Sequence, residues 1–253
     1  MLHAGYGWVD TRGTQRADKL LTLNESTAVQ VERVYGRADS ICTYAGVDTD
    51  MFHPYPDSEV AHLRERLGDG PIVVHSTDFS PIKRTDLALE AFAVASRLVP
   101  EATLAITSTR EDEGQLDRLR DRAAQLGVAD RLVYLGFLPF ADLPRLYSLA
   151  DALLQTGTSA GSGATTMSLP VKEALACGTP VIRSGATNED VEDGVSGFLV
   201  DPADSQETGR KLAVLLGDRH RGREMGAAGL RRITEQYTWD RVVDVVEGAL
   251  CTP

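Results

Sequence analysis

Glu173 is the one acid in a stretch of small and apolar residues, Leu169-Pro-Val-Lys-Glu-Ala-Leu-Ala-Cys-Gly-Thr-Pro-Val-Ile182. The stretch predicts a helix over Val171 to Ala176. Gly178 suits a left-handed cap and Pro180 cannot continue the helix, so Val181-Ile182 opens a buried strand. Just upstream, Thr156-Gly-Thr-Ser-Ala-Gly-Ser-Gly-Ala-Thr-Thr166 follows the apolar strand Asp151 to Gln155. A strand, a Gly-rich loop and a helix N-terminus in that order make an anion site, because free backbone N–H groups and the positive end of the helix dipole point at one spot. Other chemistries find no support. His3, His53, His62 and His220 lack metal-ligand spacing, and His75 sits inside an apolar strand as a core histidine. No Ser-His-Asp arrangement is readable. Cys42, Cys177 and Cys251 are odd in number and far apart, with no CxxC, which points to a reducing cytoplasm and no disulfides.

Elements that would position these residues alternate along the chain. Lys19 to Leu23 reads as a strand and Asn24 to Tyr35 as a helix, capped by Asn24 or Ser26, with Val29, Val31 and Val34 as its apolar positions. Ser40 to Tyr44 is the next strand, and Ala45 to Pro54 a turn-rich connector. Pro71 to Thr77 is apolar enough for a central parallel strand, and Asp78 to Asp86 is the loop after it. Ala88, Ala91, Phe92, Ala95 and Val99 mark an amphipathic helix. Strands at Ala102 to Thr107, Arg131 to Gly136 and Asp151 to Gln155 alternate with helices at Glu111 to Leu126 and Ala141 to Leu149. Gly194 to Pro202 carries a last strand, and helices follow at Ser205 to Leu216, His220 to Glu235 and Trp239 to Leu250. This order predicts an α/β fold with a doubly wound parallel sheet. At 253 residues the chain has room for one large domain or two small ones. A net charge of −11 argues against general nucleic-acid binding but leaves room for a small anion held by a local positive field. No run approaches 18 apolar residues, so no membrane-spanning helix is expected. Met1 to Gly13 lacks the basic start and apolar core of a signal peptide.

The central stretch resembles the donor-site signature of glycosyltransferase family 4, retaining enzymes of the GT-B fold. That signature is a Glu, seven residues, a second Glu, and then Ala-x-Ala-x-Gly-x-Pro-Val. Glu173 matches the second Glu, and Ala174, Ala176, Gly178, Pro180 and Val181 match the rest, whereas the first Glu falls on Thr165. Gly46, Val47, Asp48, Phe52 and Pro54 match the family's interdomain link, and Gly185 and Glu189 match a later loop. The resemblance implies a Rossmann-like, C-terminal half of a GT-B fold. Residues 1–46 would be a remnant of the N-terminal domain, 47–56 the linker, 57–236 the nucleotide-sugar-binding domain, and 237–253 the C-terminal crossing helix.

What the resemblance implies for the chemistry is specific. The enzyme would transfer a sugar from a UDP-, GDP- or ADP-sugar to an acceptor with retention, leaving charge on a nucleoside diphosphate that cations and helix N-termini stabilise. Lys83 matches the family's phosphate-binding Lys, with a solvated surface Lys as its alternative. The usual Arg position falls on Asp78, and the adjacent Arg84 would compensate. Glu173 would accept hydrogen bonds from ribose hydroxyls, or else be a first-turn acid held by the helix dipole. Gly163, Thr165, Thr166 and Met167 would lie near the diphosphate and sugar, Thr165 supplying a hydroxyl in place of a carboxylate. Phe137 and Leu138 match the segment lining the base pocket, or else pack in the core. No metal or other cofactor is implied. The acceptor site belongs to the N-terminal half, so a second chain or self-association is expected where that half would sit, with peripheral membrane contact open. A non-catalytic nucleotide-binding or interaction module is the second reading, favoured by Thr165 and Asp78; a nucleotide-sugar epimerase fits the linker and the Ala174–Val181 run less well.

Overall fold

A computed structural model describes residues 11–157, 169–185, 189–201 and 203–251. The chain forms two compact units, Val47–Glu235 and a smaller one made of Met1–Gly46 with Gln236–Pro253.

The smaller unit contains β1 (Leu21–Thr22) and β2 (Ile41–Cys42), paired in parallel, with α1 (Glu25–Tyr35) between them in sequence. Asn24 is the cap that starts α1, its side chain accepting from the Thr27 N–H, and Gly36 ends it in the left-handed conformation. The apolar positions expected on α1 do not enter a core: no residue of the helix is buried, Val31 is half-buried, and Val29 and Val34 are 62% and 66% exposed. The 3.6-residue pattern fixes which side of a helix is apolar but not what covers it.

In the larger unit six parallel strands lie in the order β5-β4-β3-β6-β7-β8. They are β3 (Ile72–Thr77), β4 (Thr103–Ser108), β5 (Leu132–Gly136), β6 (Ala152–Gln155), β7 (Val181–Ser184) and β8 (Gly197–Val200). The helices are α2 (Asp57–Leu67), α3 (Thr85–Ala95), α4 (Glu113–Leu126), α5 (Leu143–Leu149), α6 (Leu169–Ala176), α7 (Ser205–Gly217) and α8 (Arg219–Gln236); α9 (Trp239–Cys251) belongs with the smaller unit. The sheet is doubly wound, as the alternation predicts, with β3 and β6 adjacent where the strand order reverses. Its core on one side packs Val73, Leu104, Ile106, Leu154 and Ile182 against Ala88, Phe92, Leu212 and Leu216. Here α3 and α7 touch closely at Gly209, where a Cβ would lie 2.5 Å from Val94 Cβ and 2.6 Å from the Ala91 carbonyl.

Several boundaries differ from expectation. α3 stops at Ala95, so Val99 reaches the core from the following turn. The segment from Ala141 divides into a 3₁₀ turn, Phe140–Asp142, and α5. α6 already includes Leu169 and Pro170, ahead of the expected Val171. In the connector, the Asp48 side chain accepts from the Asp50 and Met51 N–H groups, and Phe52 is buried against Phe140 and Tyr147. These contacts account for the Asp and Phe of the link motif as a turn and a core anchor.

Candidate functional site

The strand order reverses between β3 and β6, and in open α/β sheets the carboxyl ends of the strands at such a reversal are where ligands bind. The loop after β3 carries Lys83 into this region. Lys83 is half-buried, and no carboxylate among the described residues lies within ion-pair distance of it. Arg84 behaves differently. Its guanidinium grips the Asp86 carboxylate at two points, Nε to Oδ1 at 3.0 Å and Nη2 to Oδ2 at 2.8 Å. Its charge is thus balanced within its own helix start. Asp78, at the position where the resemblance expects an Arg, folds back on its loop to accept the Ser80 N–H at 2.8 Å. Burial alone would raise its pKa, yet the Ser80 hydrogen bonds and the Lys83 charge hold it below the ordinary carboxylate value. Lys83 therefore acts beside an ionised acid and not beside a second cation.

This loop is unusually constrained. Phe79 and Arg84 both adopt left-handed backbone at φ 56° and 48°, which costs a non-glycine residue about 1–2 kcal/mol each. The sheet compensates with buried side chains. The Phe79 N–H donates to Thr77 Oγ1 at 2.9 Å, and Thr77 Oγ1 meets Thr85 Oγ1 at 2.8 Å. Thr85 Oγ1 lies 3.2 Å from His75 Nε2, while His75 Nδ1 lies 2.8 Å from the Leu154 carbonyl. His75 is thus a core histidine with both nitrogens bonded, fully buried, and burial pushes its pKa down to about 4. From β6, Thr156 Oγ1 donates to the Arg84 carbonyl at 2.9 Å and reaches the Lys83 carbonyl at 3.3 Å.

Glu173 sits in α6, buried at 8% exposure. Helical residues Leu169 to Lys172 precede it, so it lies beyond the first turn, where a helix dipole would hold an acid. Burial pushes its pKa up to about 7, with no hydrogen bond among the described residues to offset the lost water. A buried carboxyl with no hydrogen-bond partner among the described residues makes Glu173 a candidate for contact with a ligand. Phe137, following β5, is 64% exposed, which removes core packing as its role; Leu138 is half-buried. Gly163, Thr165, Thr166 and Met167 lie outside the described residues.

Arg183 in β7 forms an ion pair with Asp190 in the segment that follows, both side chains almost fully buried, and Arg232 Nη2 donates to the Glu189 carbonyl at 3.0 Å. Neither Thr156 nor Arg183 was singled out from the sequence. The available signal is that polar residues stand at the carboxyl ends of otherwise apolar parallel strands. A cleft of about 690 Å³ opens elsewhere, lined by Asp151, Gly178, Pro180, Arg219 and Arg223 at the amino ends of β6 and β7. It contains none of the candidate residues and lies at the edge of the sheet opposite the strand carboxyl ends, so the region around Lys83 is the candidate site.

Residues 61–232 match the family of glycosyl transferases group 1. The chain belongs to that family. It is 36% identical over 200 residues to a GDP-mannose-dependent alpha-(1-6)-phosphatidylinositol monomannoside mannosyltransferase of Mycolicibacterium smegmatis, covering 77% of this chain and 51% of the relative. With a D-inositol 3-phosphate glycosyltransferase of Geodermatophilus obscurus it shares 32% identity over 250 residues, 92% of this chain and 52% of the relative. The chain thus spans about half the length of the curated relatives it matches. Among solved structures it resembles Anabaena HepE in complex with UDP and glucose, with a TM-score of 0.86 at 23% identity over 98% of this chain and 67% of that one. The C-terminal domain of a glycosyl transferase group 1 family protein of Francisella tularensis aligns over its entire length and 77% of this chain, at a TM-score of 0.66 and 24% identity.

Proposed function

We propose that this chain is the donor-binding half of a retaining glycosyltransferase that takes a UDP-, GDP- or ADP-sugar. The observation that carries this reading is Lys83 held where the strand order reverses, with the buried carboxyl of Glu173 on the helix after β6, neither paired with a charged side chain among the described residues. Lys83 would bind the diphosphate and balance its charge as the sugar leaves. Glu173 would accept ribose hydroxyls. Phe137, an exposed ring at a strand end, would stack on the base, with Leu138 beside it. No metal enters this scheme, so nucleotide binding should persist in EDTA. One relative is named for GDP-mannose and one structural neighbour holds UDP, which makes GDP and UDP the first nucleotides to test.

The test is calorimetric titration of the chain with GDP, UDP and ADP, alongside Lys83→Ala and Glu173→Gln. One nucleotide is expected to bind, and both substitutions to weaken it tenfold or more, as loss of a charged or doubly hydrogen-bonded contact does. Folded protein that binds none of the three would refute the donor-site reading. It would support a non-catalytic module, which the ionised Asp78 and the neutralised Arg84 favour.

The acceptor is open. The exposed apolar residues of α1 and α9 in the smaller unit, among them Val29, Val34, Trp239 and Leu250, support association there with a second chain or copy. Among the described residues no helix is long and apolar enough to cross a membrane. Cytoplasmic residence, with peripheral membrane contact, suits cysteines that stay outside disulfides at positions 42, 177 and 251.

A further inference from the structure

We infer that Thr156 and the buried series Thr77–Thr85–His75 are positioning residues for Lys83, clamping its loop between β3 and β6 before any ligand arrives. This rests on the reading of Lys83 as a diphosphate ligand.

The direction of every hydrogen bond in the series follows from one carbonyl. Leu154 O only accepts, so His75 Nδ1 carries the proton and Nε2 of the neutral ring is an acceptor. Thr85 must then donate its single hydroxyl proton to Nε2, which obliges Thr77 to donate to Thr85. Thr77 Oγ1 remains free to accept the Phe79 N–H. The ring's low pKa agrees with this arrangement, in which no proton is spare. The series starts on the β6 backbone and ends on the left-handed Phe79 that begins the loop. Thr156, fully buried, closes the other end by donating to the carbonyl of Arg84, the second left-handed residue. Gly157 adds a tight fit, since a Cβ there would lie 3.1 Å from the Ile82 carbonyl. Between the two ends the Lys83 N–H donates to the Ser80 carbonyl at 3.0 Å. Two strained residues flank Lys83, and each is fixed by a buried hydroxyl. A loop backbone fixed in this way lowers the ordering cost of presenting the ammonium, which is the effect of preorganisation on affinity.

Two arms test this. In the first, nucleotide affinity is measured for Thr156→Val, Thr156→Ser, Lys83→Ala and the double variant Lys83→Ala with Thr156→Val. The valine removes the donor while keeping the shape, and is expected to weaken binding about tenfold. The serine keeps the hydroxyl and should restore affinity to within about threefold of wild type. In the Lys83→Ala background the valine should change nothing further, because Thr156 acts through Lys83. Additive losses would overturn the inference. In the second arm, amide exchange of Phe79 and Lys83 is followed in the chain without nucleotide. Faster exchange in Thr156→Val and in Thr85→Val, but not in Thr156→Ser, supports the clamp; unchanged exchange in both valine variants refutes it. Should the wild-type chain bind no nucleotide, the donor-site reading fails, and the exchange arm still decides the clamp.

Discussion

Two buried titratable residues dominate the pH response at the scale of single side chains, and they act with opposite signs. Glu173 rises from 4.5 to about 7 on folding, so the folded chain keeps a proton that the unfolded chain releases between those values. Stability from this group therefore falls as pH rises through that window, by roughly 3 kcal/mol at about 1.4 kcal/mol per unit. His75 falls from 6.5 to about 4, so the unfolded chain binds the extra proton there, and stability from this group is lost as pH falls from 6.5 to 4. The windows overlap, and the two slopes nearly cancel in the wild type. Glu173→Gln removes one of them. The variant should melt higher than wild type at pH 8, and the gap should close by pH 5, leaving stability that rises steeply with pH between 4.5 and 6.5. Thermal melts of both proteins at pH 5, 6.5 and 8 check this; a constant gap would mean that Glu173 is solvated and ionised in the folded chain. The gain at pH 8 is expected to accompany weaker nucleotide binding, as stabilised functional sites often show.

Between residue and molecule, the elements of the larger unit were well announced by pattern. Apolar runs gave β3, β6 and β7, and Gly127 and Gly178 mark the ends of α4 and α6 in left-handed caps. The pattern does not report how closely elements approach. Gly209 looked like any helical glycine in sequence, yet it allows α7 to lie against Ala91 and Val94 of α3. Gly209→Ala forces those helices apart and should cost about 1–3 kcal/mol in urea unfolding, despite the better helix propensity of alanine. A stabilised variant would show that the contact relaxes freely. The polar ends of β6 and β7 escaped the sequence reading for a related reason. Thr156 and Arg183 have partners 72 and 7 residues away, Arg84 and Asp190, and the choice of partner is made by strand order and loop closure.

For the molecule as a whole, charge and exposed apolar surface set the expected behaviour. The formal charge of −11 disfavours approach of an anionic nucleotide, so affinity must come from the local field at Lys83 and from hydrogen bonds. In the smaller unit, Val29 and Val34 lie in solvent on a helix with no buried residue. Sedimentation velocity over a concentration series should show association that Val29→Gln with Val34→Gln diminishes without altering net charge. A chain that stays monomeric at all concentrations, with no effect of the substitutions, would remove this surface from consideration as an interface.

The sequence by itself determined the fold class, the order of strands and helices along the chain, and the family, because those depend on local periodicity and on motifs a few residues long. It also marked Lys83 and Glu173 as the residues to watch. Tertiary structure decided their states. Strand order brought β6 beside β3, so that Thr156 could hold the loop of Lys83. Burial in α6 turned an ordinary glutamate into one that titrates near 7. A side chain of Asp86, two residues along, neutralised Arg84, and the end of β5 left Phe137 in solvent. Each of these outcomes depends on which groups lose water and which meet across the sheet, and desolvation and long-range contact are properties of the folded chain and not of any window of sequence.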